Sequence, residues 1–189
     1  MTDQPPDPLR QFMIAAHFNL EGVKAGLKDH PEWLTIDYDW GEQGGRETPL
    51  GAAAHVGGTH LAQYLLGCGA PLTPAAAAML GLRGALEAFI DADPANANVP
   101  GAHGIPLLAH AAFSGDVELV EMLKARGNTL AGVSMGLINA VSAGHAAMAA
   151  WMLANGADAS AKNYQGKSAL DIAEANGFTE IVTLLKNHP

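Results

Sequence analysis

The chain of 189 residues is 49% hydrophobic and 15% charged, enough to bury a continuous core as one domain. Its formal net charge of −9, with no run of lysine or arginine to offset it, argues against unspecific binding to nucleic acid, since phosphates would be repelled by most of the surface. No apolar run is long enough to cross a bilayer, MTDQPPDPLR is neither a signal peptide nor a basic leader, and a single cysteine, Cys68, excludes an intrachain disulfide. A cytoplasmic protein is expected.

In chain order, residues 1–7 are proline-rich, polar and expected to be disordered. Residues 8–34 read as a capping helical hairpin with Glu21, Lys24 and Lys28 on its outer face. A long connection, TIDYDWGEQGG at 35–45, follows, with an extended start and a glycine-permitted turn. Arg46 to Ala70, RETPLGAAAHVGGTHLAQYLLGCGA, then reads as two short helices folded back on each other. Proline fits the first turn of a helix, where its missing N–H is not needed, so Thr48-Pro49 marks a start. Gly57-Gly58 stops that helix, and Leu61, Tyr64, Leu65 and Leu66 form one apolar stripe on the next. Residues 73–94 give a degenerate pair entered by a short connection, with four bare alanines, Ala75 to Ala78, on its first helix. A second long connection, ANANVPGAHG at 95–104, precedes pairs at 105–127, 135–156 and 167–188.

The units recur near every thirty residues, with paired glycines at Gly57/Gly69, Gly115/Gly127 and Gly144/Gly156. One such hairpin cannot bury both faces, so copies must stack. Thr48-Pro49-Leu50 with Ala53-Ala54, Gly144-His145, Gly156-Ala157-Asp158, and the run from Asn163 to Ala173 (NYQGKSALDIA) resemble ankyrin repeats of a degenerate, bacterial type. The resemblance covers nearly the whole chain from residue 8 to 189 as a single domain. It implies an all-α solenoid of about six stacked helical hairpins with β-turn fingers. No unit carries the family's full T-P-L-H, since Gly51 stands where its histidine would. Apolar stacking is therefore expected to carry more of the cohesion between units.

The shortened connection over the four-alanine helix, flanked by long fingers at 35–45 and 95–104, implies a notch in the concave face. Asp37, Asp39, Trp40 and His103 are expected to rim it, with His55 and His110 on neighbouring inner helices and Tyr164 on a more distant finger. Trp and His at the edge of a concavity offer stacking area with a polar tip. The other histidines have plainer readings. His145 starts an outer helix in the resemblance, His17 meets a backbone carbonyl, His60 is exposed, and His30 and His188 end helices. His55, His103 and His110 fall in no short metal-ligand spacing, and inner helices one unit apart lie about 10 Å from each other. No metal and no cofactor are therefore expected; in a metal site assembled across units, Asp37 or Asp39 would be the carboxylate, and His103 with His110 is the one plausible pair.

Catalysis finds little support. Cys68 has no evident base, Ser114, Ser134 and Ser142 lie in no G-x-S-x-G, and Gly41 to Gly45 lacks the strand and lysine of a phosphate loop. The resemblance implies a non-enzymatic protein–protein interaction module that binds a protein partner through its concave face and fingers, and a monomer is expected. The alternative is a small-molecule or metal-binding protein, or an unusual enzyme, using the notch between 35–45 and 95–104. Enclosure separates the two, because an active site shuts out water and perturbs a titratable group.

Overall fold

A computed structural model describes residues 7–42 and 44–188. The expected N-terminal disorder falls mainly on residues outside the described ones; Asp7 is described and accepts the Leu9 N–H at 3.1 Å. Six consecutive helix pairs follow: α1 (Pro8–Phe18) with α2 (Leu20–Asp29), α3 (Pro49–His55) with α4 (Thr59–Gly67), α5 (Pro74–Met79) with α6 (Arg83–Ala92), α7 (Leu107–Ala111) with α8 (Val117–Ala125), α9 (Val133–Ser142) with α10 (Ala146–Ala154), and α11 (Ala169–Ala175) with α12 (Thr179–Asn187). The odd-numbered helices stack in sequence order, α1 on α3, α3 on α5 and so on to α11. The chain is thus an all-α solenoid.

Local chemistry fixes where the helices begin. The hydroxyls of Thr48 and Thr73 accept the N–H groups of Gly51 and Ala76, and each is followed by a proline at the first helical position. Ser168 and Asp171 form a reciprocal capping box at α11. The turn from α3 to α4 needs Gly57, whose φ is +73° and whose absent Cβ would lie 2.5 Å from the Phe113 ring. Gly81 takes the corresponding positive φ after α5, while Gly84 lies inside α6.

Small inner helices permit close stacking. Ala52, Ala53 and Ala54 of α3 and Ala76, Ala77 and Ala78 of α5 are fully buried. Outer helices contribute Leu65, Leu86, Leu119, Met148 and Ile181, each buried and worth about 1.5–3 kcal/mol relative to exposure. Polar ties reinforce the apolar stack. Asn98 donates to the Gly127 carbonyl at 2.9 Å and accepts the Thr129 N–H at 2.9 Å. Asn139 donates to the Ala109 carbonyl at 2.9 Å, and His145 Nε2 meets the Phe113 carbonyl at 3.0 Å. Asn98 thus ties its connection to the end of the following helix pair, and Asn139 ties α9 to α7 of the preceding pair.

The two long connections differ from each other. The first forms a 3₁₀ turn (Pro31–Thr35) and a two-stranded hairpin of β1 (Tyr38–Asp39) and β2 (Arg46–Glu47), with Tyr38 opposite Glu47. The second is not a β-finger: it makes two 3₁₀ turns, Pro94–Ala97 and Ala102–Gly104, and folds back against β2 and α3. Gly101 allows this, since a Cβ there would lie 2.3 Å from His110 Nε2 and 2.9 Å from Ala75 Cβ. The bare α5 leaves room for His110 to reach past it to the Ala54 carbonyl of α3, at 3.3 Å.

Candidate functional site

The fold-back of the second connection brings four side chains from three units to one place. His17 lies in the last turn of α1, Glu47 ends β2, His55 ends α3, and His103 sits in the 3₁₀ turn before α7. One nitrogen or oxygen from each lies within 4.8 Å of all the others. The Glu47 side chain is fully buried and forms the centre. Its Oε1 is 3.4 Å from His17 Nε2, and its Oε2 is 3.3 Å from His55 Nδ1 and 3.0 Å from His103 Nε2. Trp40 donates its indole N–H to Oε1 at 2.5 Å.

The hairpin explains why Glu47 points inward. Successive strand residues face opposite sides. Arg46 therefore faces out, where it donates to Asp37 and Asp39 at 2.8 and 3.1 Å, while Glu47 turns into the stack. Burial pushes the Glu47 carboxyl up, but the His55 and His17 imidazoles and the Trp40 N–H outweigh it, leaving the group below the ordinary carboxylate value of 4.5.

Backbone carbonyls orient two of the imidazoles. His17 Nδ1 meets the Met13 carbonyl at 2.9 Å, and His103 Nδ1 meets the Gly44 carbonyl. A carbonyl only accepts, so each Nδ1 carries a hydrogen and each Nε2 is the nitrogen turned to Glu47. His55 Nδ1 is buried and has no aligned hydrogen-bond partner, despite its distance to the carboxylate. The rings of His17 and His103 both stand edge-on to that of His55, at 4.9 and 4.8 Å between centroids. His103 holds φ at +57°, a left-handed conformation costly for a residue with a side chain.

Two openings flank the cluster. An open cleft of about 750 Å³ is lined by His17, Trp40, Gly44, Gly45, Glu47 and His103. On the other side, a groove of about 1060 Å³ runs along the concave face from His17, Phe18, His55 and Val56 past Met135 to Tyr164.

The stacked pairs, the glycine turns and the capping box have a counterpart among known families. A family model described as ankyrin repeats, in three copies, matches residues 108–189. Residues 108–189 carry ankyrin repeats. No curated protein matches it. Ankyrin repeats are generally protein–protein interaction modules, and typically not enzymes. The pairs before residue 108 lie outside the match and continue the same stack. His17, Glu47, His55 and His103 all belong to that preceding part of the stack.

The residues expected to rim a notch separate into groups. Trp40, His55 and His103 come together on Glu47. Asp37 and Asp39 do not join them, being exposed and paired with Arg46. Tyr164 stands at the far end of the groove, 95% exposed. The expected pairing of His103 with His110 is corrected: His103 turns to Glu47, whereas His110 is buried and turned to Ala54. Burial pushes the His110 imidazole down to about 4, against a weaker upward pull from the Ala54 carbonyl, and its Nε2 has no partner. Glu47 and His17 were not singled out by sequence. A carboxylate one residue before a Thr-Pro helix start was the available signal for Glu47; His17, read as a carbonyl partner, does bond Met13 but also presents its other nitrogen to the cluster. Among the described residues, no helix is long and apolar enough to cross a membrane.

Proposed function

We propose that the protein is a non-enzymatic interaction module that takes an apolar segment of a partner protein into its concave groove. One observation carries this reading. Among the described residues, the large exposed apolar side chains are Phe18, Val56, Leu82, Met135 and Tyr164, and all but Leu82 line the groove. Apolar exposure gathered in one concavity marks a binding face, whereas scattered apolar residues do not. Ile105, Phe113 and Ile138 add to the apolar lining, and its polar part is amide, hydroxyl and imidazole, with Lys162 and no carboxylate, which suits a neutral apolar chain held at its backbone by hydrogen bonds. The net charge of −9 over the whole surface favours basic or neutral flanks on that segment. A rigid stack loses little entropy on engaging it. The free, exposed Cys68 fits a reducing, cytoplasmic setting.

A photocrosslinking residue tests the groove in the cells that make the protein. Placed at Met135, it is expected to capture a defined partner whose cross-link is lost on combining Phe18→Ala with Tyr164→Ala. Placed at Leu82, equally apolar but off the groove, it is expected to capture none. Equal capture from both positions would show that the groove is not the recognition face.

A further inference from the structure

We propose that His17, Glu47, His55 and His103 form a four-ligand site for a zinc-type divalent ion that clips the first two helix pairs to the folded-back connection before α7. The site adjoins the groove, which His17 and His55 also line, but its four donors come from this chain alone.

The spacing fits such an ion. A tetrahedral centre with bonds of about 2.0–2.1 Å separates its ligand atoms by about 3.3–3.4 Å. Glu47 Oε2 lies 3.3 and 3.0 Å from nitrogens of His55 and His103, its Oε1 lies 3.4 Å from His17 Nε2, and one donor atom from each of the four residues falls within 4.8 Å of the others. Three imidazoles and one carboxylate are a donor set that zinc accepts, and four protein donors close the shell as structural sites do.

The hydrogen bonding points the same way. With Nδ1 of His17 and of His103 committed to the Met13 and Gly44 carbonyls, both Nε2 atoms face a carboxylate that only accepts. Lone pairs facing a carboxylate need a cation between them. One divalent ion satisfies both nitrogens, the partnerless Nδ1 of His55 and the buried carboxylate at once. Carbonyl bonds to the far nitrogens of two histidines are also what orient metal-bound imidazoles elsewhere, and the Trp40 N–H does the same for the carboxylate.

The placement explains two costly features. Glu47 is a fully buried carboxylate, and His103 holds a left-handed backbone that turns its ring to Glu47. His17 and His103 are 86 residues apart in sequence, so an ion joining them closes a long loop and removes much freedom from the unfolded chain.

The test uses the full chain stripped with a chelator, to which zinc alone is returned. Calorimetry is expected to show one equivalent bound, a rise in melting temperature and a change in Trp40 fluorescence. Cobalt in place of zinc should give the strong visible bands of a tetrahedral centre. His103→Gly removes one imidazole at a φ of +57° that glycine adopts freely, so the stack stays folded. It should weaken zinc binding by more than about 100-fold, beyond the effect of losing an outer partner. Glu47→Gln should do the same, and His60→Ala, on an exposed turn of α4, should change nothing. Failure of the stripped wild type to take up zinc, or undiminished uptake by His103→Gly, would overturn the site.

Discussion

The indole of Trp40 and the carboxylate of Glu47, seven residues apart on opposite arms of one hairpin, are joined by a hydrogen bond of 2.5 Å beneath the first finger. This bond helps hold the Glu47 carboxyl below its ordinary value of 4.5, against the burial that would raise it. A carboxyl depressed in the folded state stabilises above its unfolded value and loses that contribution as pH falls through the folded one. Trp40→Phe should therefore destabilise the protein by about 1.5–3 kcal/mol near pH 7, the range for a hydrogen bond to a charged group. The difference from wild type should shrink as the pH drops below 4.5. Urea unfolding at pH 7 and in acid checks both parts.

His110 should govern stability in a different pH window. The folded protein keeps this buried ring neutral down to about 4, while the unfolded chain protonates it from 6.5 downward. The unfolded state therefore binds more protons between those values, and stability falls as pH drops across them. His110→Gln removes this term. Relative to wild type, the variant should gain roughly 2–4 kcal/mol on going from pH 7.5 to pH 4. Parallel pH dependences for the two proteins would show that the ring is not held neutral.

Gly57 and Gly156 should respond unequally to alanine. Both take positive φ, +73° and +91°, but a Cβ at Gly57 would strike the Phe113 ring at 2.5 Å and one at Gly156 would meet nothing within 4 Å. Gly156→Ala should cost about 1–2 kcal/mol from backbone conformation alone. Gly57→Ala should add about 1–3 kcal/mol of overpacking to a similar backbone cost. Denaturant midpoints of the two variants measure the difference.

Much of the stack could be read from short-range chemistry. Thr48-Pro49 and Thr73-Pro74 announced helix starts because a hydroxyl and a fixed φ act within a few residues. Gly57, Gly115 and Gly144 announced turns because a positive φ is a property of one residue. The connection at 95–104 misled because its conformation depends on contact with His110 and Gly44, more than a turn away in sequence.

The candidate site was only partly legible. Trp40 and His103 are expected at a rim and His55 on the inner helix beside it, whereas Glu47 is not singled out and His17 reads only as a carbonyl partner. The periodic spacing of apolar and small residues by itself determined that helix pairs would pile into a solenoid, since burying a helix stripe needs only local pattern and a neighbour of the same kind. Only the tertiary structure decided that one carboxylate would meet imidazoles from α1, α3 and the turn before α7. The separations of 30, 8 and 56 residues between Glu47 and its histidines carry no fixed geometry until the hairpin turns Glu47 inward and the second connection folds back.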